Sequence, residues 1–155
     1  MPVRSPSFEG LRPASQASSR AKQANHAVGT THEKELRHHL WINGLRYRKN
    51  VSKLPGKPDV VFPMARMVIF CDGDFWHGRN WESLKKKLRR GSNPDYWIAK
   101  IRANMQRDLV NTRKLKQAGW KVVRVWEGDI RLHAARIALR LKGLVETRLI
   151  GMPKD

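Results

Sequence analysis

Residues 59–77 read DVVFPMARMVIFCDGDFWH. Two short apolar runs, DVVF (59–62) and MVIFC (67–71), flank the link PMAR. Proline cannot donate to a strand ladder, so Pro63 ends the first run and the link reads as a hairpin. The runs predict neighbouring antiparallel strands. After Cys71 the chain turns polar: Asp72-Gly73-Asp74-Phe75-Trp76-His77 reads as a loop carrying acids, aromatics and an imidazole. Asp59 opens the first strand and Cys71-Asp72 closes the second, so a short hairpin sets them at adjacent positions.

Upstream, LPGKP (54–58) is loop chemistry, and LRYRKNV (45–51) alternates apolar and basic residues as a half-exposed strand does. Before it, Thr30 and Glu33 have capping-box spacing, Leu36 and Leu40 stand one turn apart, and Gly44 is a stop signal. These predict a helix from Thr30. Residues 1–29 are rich in Ser, Ala, Arg and Gln without a sustained period, and are expected to form a disordered basic arm.

Downstream, residues 72–94 hold Gly73, Gly78, Gly91 and Pro94 and read as irregular. Asn93-Pro94-Asp95 is a helix start, and that helix is expected to reach Gly119. Ile98, Ile101, Met105 and Leu109 form its apolar side; Lys100, Asn104, Arg107 and Asn111 share a polar side. WKVVRVW (120–126) is a central-strand candidate, and a last helix follows from near Asp129 on the stripe Ile130, Ala134, Ile137, Leu141. The order is αβββαβα: a meander, then a crossover to a strand that can lie parallel. This predicts an α/β three-layer sandwich with a mixed central sheet over residues 30–150. The order resembles the core of restriction-endonuclease-like nucleases.

Length and charge narrow the function. A chain of 155 residues suits one domain. Lys plus Arg number 32 against 13 Asp plus Glu, and the resulting +19 points to a polyanion, most commonly nucleic acid. No apolar run approaches the ~18 residues of a membrane span, and MPVRSPSFEG has no leader-like core, so neither a membrane nor a secretory role is expected. Cys71 stands alone, which excludes an internal disulfide and an all-Cys metal site and predicts a reducing, cytoplasmic setting.

Asp59 and the Cys71-Asp72 segment at one sheet end suit Mg²⁺, which takes one or two carboxylates and completes its shell with carbonyls, water and phosphate oxygens. His77, titrating near neutrality, suits a base for an attacking water. Each residue also has a plainer reading: Asp59 as a turn former, Asp72-Gly73 as a turn dipeptide, His77 as a hydrogen-bonded core histidine, Glu33 as a helix cap. Gly73-x₄-Gly78-Arg79-Asn80 lacks the Lys and Ser/Thr of a phosphate loop, and Asp72-Gly73-Asp74 lacks the other ligands of a calcium loop.

TTHEKEL (30–36), LPGKPDVV (54–61), VIFCDGDFWHG (68–78), YWIAKIRANMQRD (96–108) and LKQAGWKVVRVWE (115–127) together resemble the very-short-patch repair (Vsr) endonucleases in order and spacing. The resemblance implies a metal-dependent DNA endonuclease that nicks one strand beside a T:G mismatch. Position by position, Asp59 resembles the principal Mg²⁺ carboxylate, Cys71 lies where the family supplies a main-chain carbonyl to the metal, His77 resembles the catalytic histidine, and Glu33 the acid of the first helix. Phe75 and Trp76 resemble aromatics that wedge into DNA, an act that costs least at a weakened pair.

Asp72 stands where the best-known members carry histidine, and a carboxylate there is a natural second metal ligand. The positions of those members' structural zinc ligands hold Asp74, Arg79, Trp81 and Gly128. No structural zinc is therefore expected, and Trp81 and Leu84 are expected to pack inward and hold 78–92. Lys22 stands near the place of the family's arm methionine. Lys100, Asn104 and Arg107 are candidates to contact phosphate or steady the site, though a solvated helix face fits them too.

The reading is a Mg²⁺-dependent endonuclease on mismatched double-stranded DNA, expected to be monomeric and linked to a DNA methyltransferase. Its rivals are a defence nuclease making double-strand cuts on the same fold and a non-catalytic DNA-binding protein.

Overall fold

A computed structural model of the chain describes residues 3–12 and 29–153. The elements run α1 (Thr31–Ile42), β1 (Arg48–Lys49), β2 (Val60–Phe62), β3 (Met67–Asp72), α2 (Trp81–Arg89), α3 (Pro94–Gln117), β4 (Lys121–Trp126) and α4 (Glu127–Ile150). The sheet order is β1-β2-β3-β4; β1–β2 and β2–β3 pair antiparallel, β3–β4 parallel. The expected mixed-sheet α/β sandwich forms, consistent with a restriction-endonuclease-like core.

Strand β3 lies between two partners and under two helical layers, and all six of its residues are buried. That double coverage is why MVIFCD is nearly continuous in apolar character rather than alternating. Successive side chains still point to opposite faces. Val60, Phe62, Met67, Ile69 and Cys71 join Leu36 and Leu40 of α1 and Ile130, Ala134, Leu141 of α4 in one cluster. Val61, Val68 and Phe70 join Leu115 of α3 in the other. By the same alternation Asp72 falls on the α3 side and Cys71 on the α1/α4 side.

Several expectations shift. The 72–94 stretch is not irregular throughout: Trp81–Arg89 is helical, because Trp81, Leu84 and Leu88 recur at spacings of three and four and lie half-buried against α3. The strand expected over 45–51 shrinks to Arg48–Lys49; it is an edge, it pairs only with Val60 and Val61, and Asn50 takes a left-handed φ of 47° that ends it. Strand β2 starts at Val60, yet Asp59 keeps a ladder bond, its N–H donating to the Ile69 carbonyl at 3.0 Å. Leu109, expected on the apolar side of α3, is 64% exposed, whereas Ile101 is fully buried. Helix α4 begins at Glu127 and carries a kink at His133 (φ −141°, ψ 28°).

The capping box is half made. Thr30 is extended and its hydroxyl meets His32 Nε2 at 3.2 Å instead of a helix amide, while Glu33 Oε2 accepts the Gly29 N–H at 2.9 Å. Most of the expected arm, Lys22 included, lies outside the described residues. Residues 3–12 lie along α3: Ser5 Oγ accepts from Arg107, Phe8 meets Tyr96 edge-on, and Asn93 donates to the Arg12 carbonyl.

Ile69 is fully buried in the strand that both helical layers cover. Ile69→Ala is expected to cost about 2–5 kcal/mol in urea denaturation, and Met64→Ser, at an 82% exposed link position, close to nothing.

Candidate active site

The site gathers at the end of the sheet where β3 finishes. Continuing the β2–β3 register (Val60 opposite Ile69) sets Asp59 opposite Phe70, and Asp59 Oδ2 accepts the Cys71 N–H at 2.6 Å. Glu33, in the first turn of α1, is 3% exposed and pairs with Arg37 at 3.4 Å. Burial, then the nearby charges of Glu33 and Asp72, push the Asp59 carboxyl up to about 7, against the lowering pull of the Cys71 amide and Arg37. Asp59 forms no salt bridge with any described residue. Cys71 packs into the α1/α4 core, and burial together with the neighbouring carboxylates pushes its thiol well up, so the sulfur is inert at neutral pH.

On the α3 side, Asp72 is 4% exposed. Arg124 of β4 donates from one nitrogen to both of its oxygens, at 3.0 and 3.1 Å. The same guanidinium reaches the Asp108 carbonyl (3.3 Å), the Thr112 hydroxyl (3.2 Å) and the face of Phe70, 4.2 Å from its centroid. Burial raises the Asp72 pKa, and Asp108 adds to this while Arg124 and His77 oppose it.

His77 sits in a turn whose amides bond back: His77 N–H to the Gly73 carbonyl and Arg79 N–H to that of Asp74. Its Nδ1 lies 2.6 Å from Asp108 Oδ2 and 3.7 Å from Asp72 Oδ1. A carboxylate only accepts, so Nδ1 carries the proton and Nε2 is the basic nitrogen. Burial disfavours the imidazolium, but the Asp108 hydrogen bond and the Asp72 and Asp108 charges outweigh it and raise the His77 pKa. Ligand atoms of Asp72, His77 and Asp108 lie within 4.8 Å of one another, close enough for one cation. Arg124 already occupies the carboxylate side of that trio.

The structure thus brings Asp59, Asp72, His77 and Glu33 to one region, in two sub-clusters. Sequence reading missed Arg124 and Asp108. Their signals were a lone charge inside the apolar strand β4, which lies at the edge of the sheet rather than at its expected central place, and an acid one turn after Asn104 on the polar side of α3. Asn104 donates to the Trp76 carbonyl at 2.8 Å and accepts from Arg107, so it steadies the loop. Lys100 is half-buried one turn before it. Phe75 is 37% exposed and stacks edge-on against Trp76 and Trp97; Trp76 is half-buried behind it.

The positions compared with zinc ligands are tied by charge and backbone. Asp74 Oδ1 accepts the Gly128 N–H (3.2 Å) and pairs with Arg79 (3.4 Å), which also holds Asp129 at 2.8 Å. A Cβ on Gly128 would stand 2.6 Å from Asp74 Oδ2, so glycine is what admits this contact. Trp81 and Leu84 pack half-buried, as expected of them.

The sequence profile of a family described as DNA mismatch endonuclease Vsr matches residues 14–83. The type II nicking enzyme V.NmeDIP of Neisseria meningitidis serogroup C is 44% identical over 108 residues, which is 70% of this chain and 72% of that protein. The type II nicking enzyme V.HpaIIP of Haemophilus parainfluenzae is 36% identical over 83% of this chain and 90% of its own length. The DNA mismatch endonuclease Vsr of Escherichia coli K12 is 37% identical over 66% of this chain and 64% of its own.

Two tests follow from the geometry. Gly78 has φ +72°, and a Cβ there would meet Met105 Sδ at 2.5 Å; Gly78→Ala is expected to lose at least the ~1–2 kcal/mol of a left-handed residue and to move the His77 ring, read by denaturation and by the histidine NMR shift. For Asp59, with its folded pKa raised to about 7, the folded state holds a proton that the unfolded chain releases. Stability from this group is therefore present below about pH 4 and lost as pH rises towards 7. With chelator present, Asp59→Asn is expected to exceed wild type near pH 8 by up to about 4 kcal/mol, and to match it near pH 4.

Proposed function

We infer that this chain, which belongs to the DNA mismatch endonuclease Vsr family, is a DNA endonuclease that nicks duplex DNA, and we propose that it cuts beside a T:G mismatch with Mg²⁺. The observation that carries the reading is a partly buried acid cluster, with Glu33 and Asp72 fully buried, beside an imidazole oriented by a carboxylate. Glu33, Asp59, Asp72 and Asp108 gather there with only Arg37 and Arg124 as paired guanidiniums. That surplus of negative charge, with Asp59 unpaired among the described residues, suits a divalent cation.

Asp59 and the Cys71 main-chain carbonyl are the residues we assign to hold it. Asp72 joins them only by giving up Arg124, so its first role is to anchor that guanidinium. When bound, Mg²⁺ supplies charge neutralisation at the phosphate and a more acidic water. The chain supplies the rest. Asp108 holds the Nδ1 proton of His77, leaving Nε2 to take a proton from the attacking water. Glu33 orients water at the Asp59 side. Phe75, backed by Trp76 and Trp97, enters the base step. Lys100 and Arg107 contact phosphate, and Asn104 positions the loop.

In this reading residues 30–150 form the catalytic domain, and the protein works as a cytoplasmic monomer in a DNA-methyltransferase-linked system. Among the described residues no helix is long and apolar enough to cross a membrane.

The test is a duplex panel with Mg²⁺ added or chelated. Expected are a single-strand nick at T:G with metal, none without, loss of cutting but not of binding in Asp59→Asn, and a ~10²–10⁴-fold slower His77→Ala. Equal cutting of matched and T:G duplexes overturns the mismatch assignment. No metal-dependent cutting of any duplex overturns the enzyme. A Tm rise with Mg²⁺ in wild type, absent in Asp59→Asn, reads the metal site independently of activity.

A further inference from the structure

Helix α2 contributes no residue to either buried core. It rests on α3 through half-buried Trp81, Leu84 and Leu88. At 100° per residue the opposite face carries Lys86, Lys87 and Arg89, continued by Arg90 at the helix end, and all four are exposed. None of them forms a salt bridge with a described residue, although Glu82 stands one turn before Lys86. The helix's own negative end carries only about half an elementary charge, so it offsets a fraction of this patch. Glu82 shares this exposed half of the helix, so the patch is net positive rather than of one sign, and it raises the local potential for an anion with closely spaced charges.

We propose that α2 is a phosphate clamp that grips duplex DNA flanking the cut, a role that rests on the endonuclease reading above. The helix starts four residues after His77, and the intervening turn is tied down through Asp74, Arg79 and Asp129. Its distance from the site is therefore set. Its nine residues span about 13 Å at 1.5 Å per residue, the length of duplex axis over which one strand presents three to four phosphates at about 3.4 Å of rise each. The two lysines are point charges on flexible stems and the two arginines planar forks, and all four are exposed to solvent. They fit backbone contacts that set affinity and register, not base reading.

The test is the salt dependence of duplex binding by the full chain, measured without divalent ion. The variant Lys86→Gln/Lys87→Gln/Arg89→Gln/Arg90→Gln is compared with Arg113→Gln/Lys114→Gln/Lys116→Gln/Lys121→Gln. The second set removes the same charge from exposed positions in the last turns of α3 and at the start of β4, the opposite end of the sheet. Each lost phosphate contact flattens the slope of log K against log salt by about 0.9. The α2 variant is expected to flatten it by about 3 between about 50 and 200 mM salt, and the control by less than about 1.

An unchanged slope in the α2 variant, or equal flattening in both, overturns the clamp. Nicking by wild type with Mg²⁺ is followed in parallel. Absent nicking with the slope contrast intact overturns the endonuclease reading alone; intact nicking without the contrast overturns the clamp alone. A wild type that binds no duplex overturns both.

Discussion

Two neighbouring carboxylates, Asp72 buried at the end of β3 and Asp108 half-buried on α3, repel each other unless a cation stands between them, and here that cation is Arg124. One nitrogen bridges both oxygens of Asp72 and comes within 3.6 Å of Asp108, while the rest of the fork reaches the Asp108 carbonyl and Thr112. A lysine could not do this; a planar fork of five donors can. Arg124 stands there because β3 and β4 pair in parallel, with Phe70 opposite Arg124 and Asp72 opposite Trp126. The pull of Arg124 against the burial that raises the Asp72 pKa, and the placing of Asp108 beside Asp72, both follow from that pairing.

The other half of the site is solved differently. Asp59 has a backbone amide rather than a guanidinium, and its carboxyl is correspondingly unwilling to ionise in the empty protein. A stable fold has no use for such a group. It is the kind of local cost that persists where a binding partner relieves it. The surface tells the complementary story. A chain of +19 draws in a polyanion, yet four of its acids are concentrated at one sheet end, where a bare phosphate would be repelled. A metal ion bound there would reconcile the two fields.

Between these halves lies the 73–80 turn, which carries Phe75, Trp76 and His77. Charge ties it to the start of α4, Asn104 holds its carbonyl, and ring contacts with Trp97 support its aromatics. Phe8 extends the ring cluster from the amino-terminal segment. So the loop is held by elements distant in sequence, and its aromatics are presented rather than buried.

The hairpin and the gathering of Asp59, Asp72 and His77 at one sheet end were legible in DVVFPMARMVIFCDGDFWH, and the crossover in the Asn93-Pro94-Asp95 helix start followed by WKVVRVW, because alternating burial, proline positions and short links are local properties. The helical nature of Trp81–Arg89 was less so: its glycine flanks suggested loop, and its apolar stripe matters only once α3 lies beneath it. Arg124 and Asp108 could not be paired from sequence, since 16 residues and a helix-to-strand crossover separate them and only the β3–β4 register sets them beside Asp72. Composition and local pattern determined the element order, the polyanion preference and the acids that lead the strands. Tertiary structure alone decided which charges neutralise one another, because an ion pair depends on distance through space and not on distance along the chain.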